Sequence, residues 1–120
     1  MNNEEDKRQN RGGADTSAPV SPGADIDMRF VLERPFKFEG EKIESIDMNG
    51  LLDMTLTDLD QVERWMNRAN PEWKGDINEL YAAYVAAMIN NKPQEWLLDM
   101  GVRDAKRLRN MVFTFFYVRV

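Results

Sequence analysis

The chain contains neither cysteine nor histidine. No disulfide and no Cys/His zinc site can staple it, so its fold must rest on one continuous apolar core. The same two side chains supply most metal sites, tuned general bases and nucleophiles. Their absence favours a module that binds other proteins over an enzyme, with no cofactor and no small-molecule substrate.

The core must come from residues 28–120. Residues 1–27 read MNNEEDKRQNRGGADTSAPVSPGADID, charged and then rich in Gly, Ala, Ser and Pro. A segment of that kind buries too little apolar area to offset chain entropy, so a disordered, acidic arm is expected there. The rest is long enough for a single domain that buries roughly two-thirds of its unfolded surface. Of the net charge of −5, the arm carries −3 and residues 28–120 only −2. A module so balanced lacks the basic excess that phosphate contacts require, which argues against nucleic acid as a partner. The opening residues are charged with no apolar stretch behind them, unlike a signal peptide. No run approaches the roughly 20 apolar residues of a membrane span. Together with the lack of Cys, this points to a soluble protein of a reducing cytoplasm.

Alternation predicts strands near 29–38 and 42–48. Phe30 and Leu32 mark one face of the first, Ile46 and Met48 one face of the second. Gly40 in the intervening turn is expected at positive φ. Pro35 inside the first run lacks an N–H, so that strand should lie at an edge or break there. Thr55 or Thr57 then caps a helix carrying Leu56, Leu59, Val62, Trp65, Met66 and Ala69 at helical spacing and ending near Asn70-Pro71. A second helix is expected from about Asp76, with Ile77, Leu80, Tyr81, Tyr84, Val85, Met88 and Ile89 as its stripe. Leu80, Tyr84 and Leu108 are expected in the core. Pro93 suits the start of a short helix over Gln94 to Met100, and a last helix begins near Arg103. The sum is an α+β fold, an N-terminal hairpin packed on three or four helices and mostly helical.

Few residues suggest chemistry. Asp58 and Asp60, two apart on a helix, point about 200° away from each other and cannot share a substrate atom. The segment 53–60 lacks the central Gly of a calcium loop, and no metal site is expected. Arg103, Lys106, Arg107 and Arg109 form the solvated side of the last helix or a contact for an acidic partner or for nucleic acid. The aromatics carry more. Trp73 lies in a Pro/Gly connector, where it either covers the core or meets a partner. Val112, Phe115 and Phe116 continue the stripe of the last helix, whereas Phe113, Tyr117, Val118 and Val120 fall off it. Either this end folds back over the hairpin, or it exposes an apolar patch of the kind that marks a binding site. The candidate partner-binding residues are therefore Trp73, Phe113, Phe116, Tyr117 and Val118. Self-association through the same patch is a further expectation.

The order of segments resembles that of the small tail assembly chaperones of tailed bacteriophages. The resemblance is carried by Pro35-Phe36-Lys37-Phe38-Glu39-Gly40-Glu41-Lys42, Ile46-Asp47-Met48, Gly50-Leu51 and Leu56-Thr57-Asp58-Leu59. It continues through Leu80-Tyr81-Ala82-Ala83-Tyr84-Val85-Ala86-Ala87, then Leu97, Asp104-Ala105, Val112 and Phe115-Phe116. It spans about Phe30 to Phe116, and none of its motifs is catalytic. The N-terminal arm departs from the compact family pattern. The resemblance implies a non-enzymatic role in the bacterial host cytoplasm: binding the long helical tape-measure protein, or the tail-tube protein, while the tail assembles. Two alternatives from other classes are a small DNA-binding regulator that uses the last helix, and a structural tail-completion protein retained in the virion.

Overall fold

A computed structural model describes residues 28–118. The arm at 1–27, expected to be disordered, lies outside the described residues, as do residues 119 and 120. The fold is α+β and mostly helical. Strands β1 (Arg29–Phe38) and β2 (Glu41–Asp47) form an antiparallel hairpin. A short 3-10 helix (Asn49–Asp53) leads into α1 (Leu56–Ala69), α2 (Glu79–Ile89) and α3 (Val102–Phe113), and a π-helical turn follows at Thr114–Val118.

The hairpin closes through Glu39 and Gly40, both at positive φ (51° and 82°), between the paired residues Phe38 and Glu41. Two left-handed residues give the tight turn whose twist suits a hairpin. The pairing is regular from Arg29↔Asp47 to Val31↔Ser45 and again from Phe36↔Ile43 to Phe38↔Glu41. Between those stretches residues 32–35 of β1 face Glu44 alone, so β1 bulges where Pro35 cannot donate.

Thr55 caps α1 in a reciprocal box: the Asp58 N–H donates to Thr55 Oγ1 (3.3 Å), and the Thr55 N–H donates to Asp58 Oδ2 (3.1 Å). Helix α2 starts at Glu79 rather than Asp76, because Asn78 Oδ1 accepts the Tyr81 N–H at 2.8 Å and sets the cap there. Its end is fixed by Asn91 at φ 57°, with Lys92 N–H to the Ala87 carbonyl (2.9 Å) and Asn91 N–H to the Met88 carbonyl (3.2 Å). That is the left-handed closure common at helix ends.

Helix α2 is the centre of the molecule. Every residue from Tyr81 to Ala87 is buried, so the helix has no solvent face over two turns. Its four alanines let α1 and α3 pack closely against it, and Trp65 of α1 meets Tyr84 edge-on at 5.7 Å. Tyr84 and Leu108 are buried, while Leu80 is only partly buried at the margin. Gly50 approaches the end of α2 so closely that a Cβ there would lie 2.8 Å from Ile89 Cβ.

The expected helix over Gln94 to Met100 is not formed. That stretch is a chain of four-residue turns, with Trp96 N–H to Pro93, Leu98 N–H to Glu95 and Met100 N–H to Leu97. The turns drive both Trp96 and Leu97 into the core and leave Leu98 exposed. The periodic placement of Leu56 also fails. As the first residue of α1 it is 81% exposed, while Val62 and Met66 carry the buried face.

Candidate protein-binding surface

The surface is organised by a strut that the sequence analysis missed. Asp104, at the start of α3, is 1% exposed. Its Oδ1 accepts the Glu33 N–H and its Oδ2 the Arg34 N–H, each at 3.0 Å. These amides belong to the bulged stretch of β1, so the carboxylate supplies bonds that β2 does not. Arg107 donates to Oδ1 at 2.6 Å and to the Val31 carbonyl at 3.3 Å, and its guanidinium lies 4.6 Å from the centre of the Phe30 ring. Burial by itself would push the Asp104 carboxyl up. The two amides and the guanidinium outweigh it and hold the group below the usual carboxylate range. Hairpin and α3 are thereby locked together, and α3 delivers the π-helical turn.

A π turn holds more residues per turn than an α-helix, and such turns recur at functional sites. Here it brings the aromatic end of the chain against the core. Trp73 stacks on Tyr81 (5.7 Å between centroids), Tyr81 meets Phe116 edge-on (6.4 Å), Phe116 meets Tyr117 (6.4 Å) and Tyr117 meets Phe113 (5.3 Å). Four of the five residues singled out from the sequence thus lie on one aromatic ladder, joined through Tyr81. Burial pushes the Tyr81 phenol up, with the charges of Glu63 and Tyr117 adding to the effect. Phe113, Tyr117 and Val118 are exposed, at 40%, 70% and 59%. Phe116 and Trp73 are half-buried, and Trp73 Nε1 donates to the Asp76 carbonyl at 2.8 Å. Trp73 therefore covers part of the core while keeping one face at the surface.

Phe115 stands between two apolar grooves. One, of about 350 Å³, is walled by Leu51, Met54, Leu56, Leu59, Phe115 and Phe116. The other, of about 440 Å³, lies between β1 and the end of α3, against Met28, Phe30, Met111 and Phe115. The walls contributed by the 3-10 helix, α1 and β1 were not legible as a site, because nothing in their spacing says which core-type residue stays uncovered.

The remaining candidates for chemistry are accounted for by local contacts. Asp58 serves the α1 cap, and Asp60 pairs with Arg64 at 2.9 Å. The four bases of α3 all bond within the chain: Arg103 with Glu33 (3.7 Å), Lys106 with Glu79 (3.1 Å), Arg107 with Asp104, and Arg109 through Nε to the Ile77 carbonyl (3.2 Å). Among the described residues no group of His, Cys, Asp or Glu is placed to hold a metal ion, and no helix is long and apolar enough to cross a membrane. No protein-family model, curated protein or solved structure matches the chain.

Proposed function

We propose that this chain is a tail assembly chaperone of a phage or prophage: a non-enzymatic module that binds the tape-measure protein, or the tail-tube protein, in the bacterial host cytoplasm while the tail forms. The observation that carries the reading is the exposed apolar group of Phe113, at the end of α3, with Tyr117 and Val118 of the π turn that follows, in a segment whose Phe115 lines two apolar grooves. A contiguous apolar surface of this kind marks a protein contact. A groove bounded by helices and aromatic rings fits an amphipathic segment, which a long helical partner offers in abundance. The segment order described above supports the more specific reading as a tail assembly chaperone.

The test is co-expression of the full chain with the tape-measure and tail-tube proteins encoded beside it, followed by purification of the complex and of finished particles. The expected result is a complex with either protein and no copy of the chain in the particles. Phe113→Ser combined with Tyr117→Ser should abolish the complex and leave the fold intact, since both side chains are exposed anchors. Retention in particles, or salt-sensitive DNA binding with no protein complex, would overturn the reading in favour of a structural or DNA-binding role.

A further inference from the structure

We infer that Asn49-Gly50 is a self-modifying site: the folded junction between β2 and the 3-10 helix keeps it inert, and a molecule whose junction opens converts Asn49 to aspartate or isoaspartate and does not close again. Asn-Gly occurs once in the chain. Glycine has no side chain to shield its nitrogen, so that nitrogen can reach the preceding carboxamide. With its proton passed to water, the Gly50 nitrogen attacks Asn49 Cγ, the Cγ–Nδ2 bond breaks, and ammonia leaves. The product is a five-membered succinimide, which water then opens. Cleavage of the new Cγ–N bond gives aspartate. Cleavage at the main-chain carbonyl gives isoaspartate, whose backbone runs through Cγ. Overall one water enters and one ammonia leaves, and nothing is oxidised or reduced. The fold itself demands this reactive pair. A Cβ on residue 50 would lie 2.8 Å from Ile89 Cβ, so packing against α2 requires glycine there.

The same junction restrains the reaction. The Asn49 backbone N–H and Nδ2 both donate to Asp47 Oδ1 at 2.9 Å, and Asn49 Oδ1 accepts the Met28 N–H at 3.4 Å. Asn90 Nδ2 donates to the Asp47 carbonyl at 3.0 Å, tying the end of the hairpin to α2. The Asn49 carboxamide is thereby held towards Asp47. A helical ψ at the start of the 3-10 helix also keeps the Gly50 nitrogen out of the plane in which the ring closes. Ring formation therefore waits for the junction to open, a local event that costs less than global unfolding. Neither product suits the closed form. Aspartate replaces the Nδ2 donor with an oxygen facing the Asp47 carboxylate, so like charges meet where a hydrogen bond stood. The backbone N–H of Asn49, then its side-chain amide, hold the Asp47 carboxyl below the usual carboxylate range, so that group is charged at neutral pH. Isoaspartate lengthens the backbone by one carbon beside a glycine with no room even for a Cβ, and just ahead of the buried Leu51.

Peptide mapping by mass spectrometry tests this on the full-length protein, incubated at one neutral pH with and without urea. The readout is the exchange of NH2 for OH at each Asn. In urea, Asn49 should convert faster than every other Asn of the chain, giving both aspartate and isoaspartate. In buffer it should convert about 10-fold or more slowly than in urea. Asp47→Ala removes the acceptor of both Asn49 donors and should raise the rate in buffer by about 10-fold. Asp53→Ala, at the far end of the 3-10 helix, should leave that rate unchanged. Asn49→Asp installs one product directly and should lower the melting temperature by about 4 °C or more. Equal rates at Asn49 in buffer and urea would overturn the inference, since the fold would then offer no restraint. So would a rate in buffer that Asp47→Ala does not change, or that Asp53→Ala raises as much. An Asn49→Asp variant that melts with wild type would also overturn it, because the converted junction would then close.

Discussion

Replacing Asp104 should cost more than any other exchange of a charged residue among those described. Asp104→Ala removes one acceptor from three donors: the amides of Glu33 and Arg34 at 3.0 Å and the Arg107 guanidinium at 2.6 Å. Hydrogen bonds to a charged acceptor contribute about 1.5–3 kcal/mol each when buried. The two amides sit in an exposed stretch of β1, so water recovers part of their loss. The Arg107 side chain is 42% exposed, which brings its share towards the roughly 0.5 kcal/mol of a surface pair. The expected loss is therefore about 2–4 kcal/mol, a large part of the roughly 5–15 kcal/mol of a small domain. Urea unfolding followed by circular dichroism measures it, with an unchanged slope confirming that only stability moved. Asp104→Asn should lose somewhat less, because it keeps one acceptor but turns an amide donor on the other N–H. Acid supplies a second readout. The folded carboxyl ionises below its ordinary value, so in acid the unfolded chain binds the proton more readily. The contribution is complete above the unfolded value near 4 and fades as pH falls through the lower folded value. Wild type should thus lose stability below about pH 4, and Asp104→Asn should show a flatter acid limb. A loss under about 0.5 kcal/mol for Asp104→Ala, within the ordinary range of surface changes, would mean that water satisfies the bulge and the strut is ornamental.

Gly50→Ala places a Cβ 2.8 Å from Ile89 Cβ, which α2 cannot move aside, and should cost about 1–3 kcal/mol by thermal unfolding. Gly40→Val meets open space but requires a β-branched residue at φ 82°, so a loss of roughly 1 kcal/mol or more is expected from backbone strain alone. Leu108→Ala, in a fully buried site, should cost about 2–5 kcal/mol, and Leu80→Ala, at the half-buried margin of α2, distinctly less. Equal losses at those two positions would show that the partly exposed face of α2 is covered in solution.

The hairpin was legible because alternation around Phe30, Leu32, Ile46 and Met48 and a lone Gly40 are both local signals. So was the capped start of α1. The start of α2 was misplaced because Ile77 continues the apolar period, while the decisive Asn78 cap interrupts it only by hydrogen bonding. Burial all round α2 was hidden in its alanines, which weigh little in any stripe. Pro93 imitated a helix start, yet the bonds that follow it close turns (Trp96 N–H to Pro93, Leu98 N–H to Glu95, Met100 N–H to Leu97), a choice that the spacing of Trp96 and Leu97 does not reveal. The aromatic half of the surface could be read because Phe113 and Tyr117 fell off the stripe of α3. The opposite wall could not, since Leu56 has the spacing of a core residue. Nor could the Asp104 strut, whose partners are bare amides with no side-chain signature.

The strut also sets an order of events during synthesis. Glu33 and Arg34 are bonded by a residue 71 and 70 positions further along the chain. At roughly 5–20 residues per second, the carboxylate is made about 4–14 s after the strand it completes. For that interval the bulged stretch of β1 carries open amides with only Pro35 and its charged neighbours to discourage a stray strand. The vulnerable moment for this protein is therefore early in its making, before α3 exists, and crowding on the ribosome should favour mispairing there.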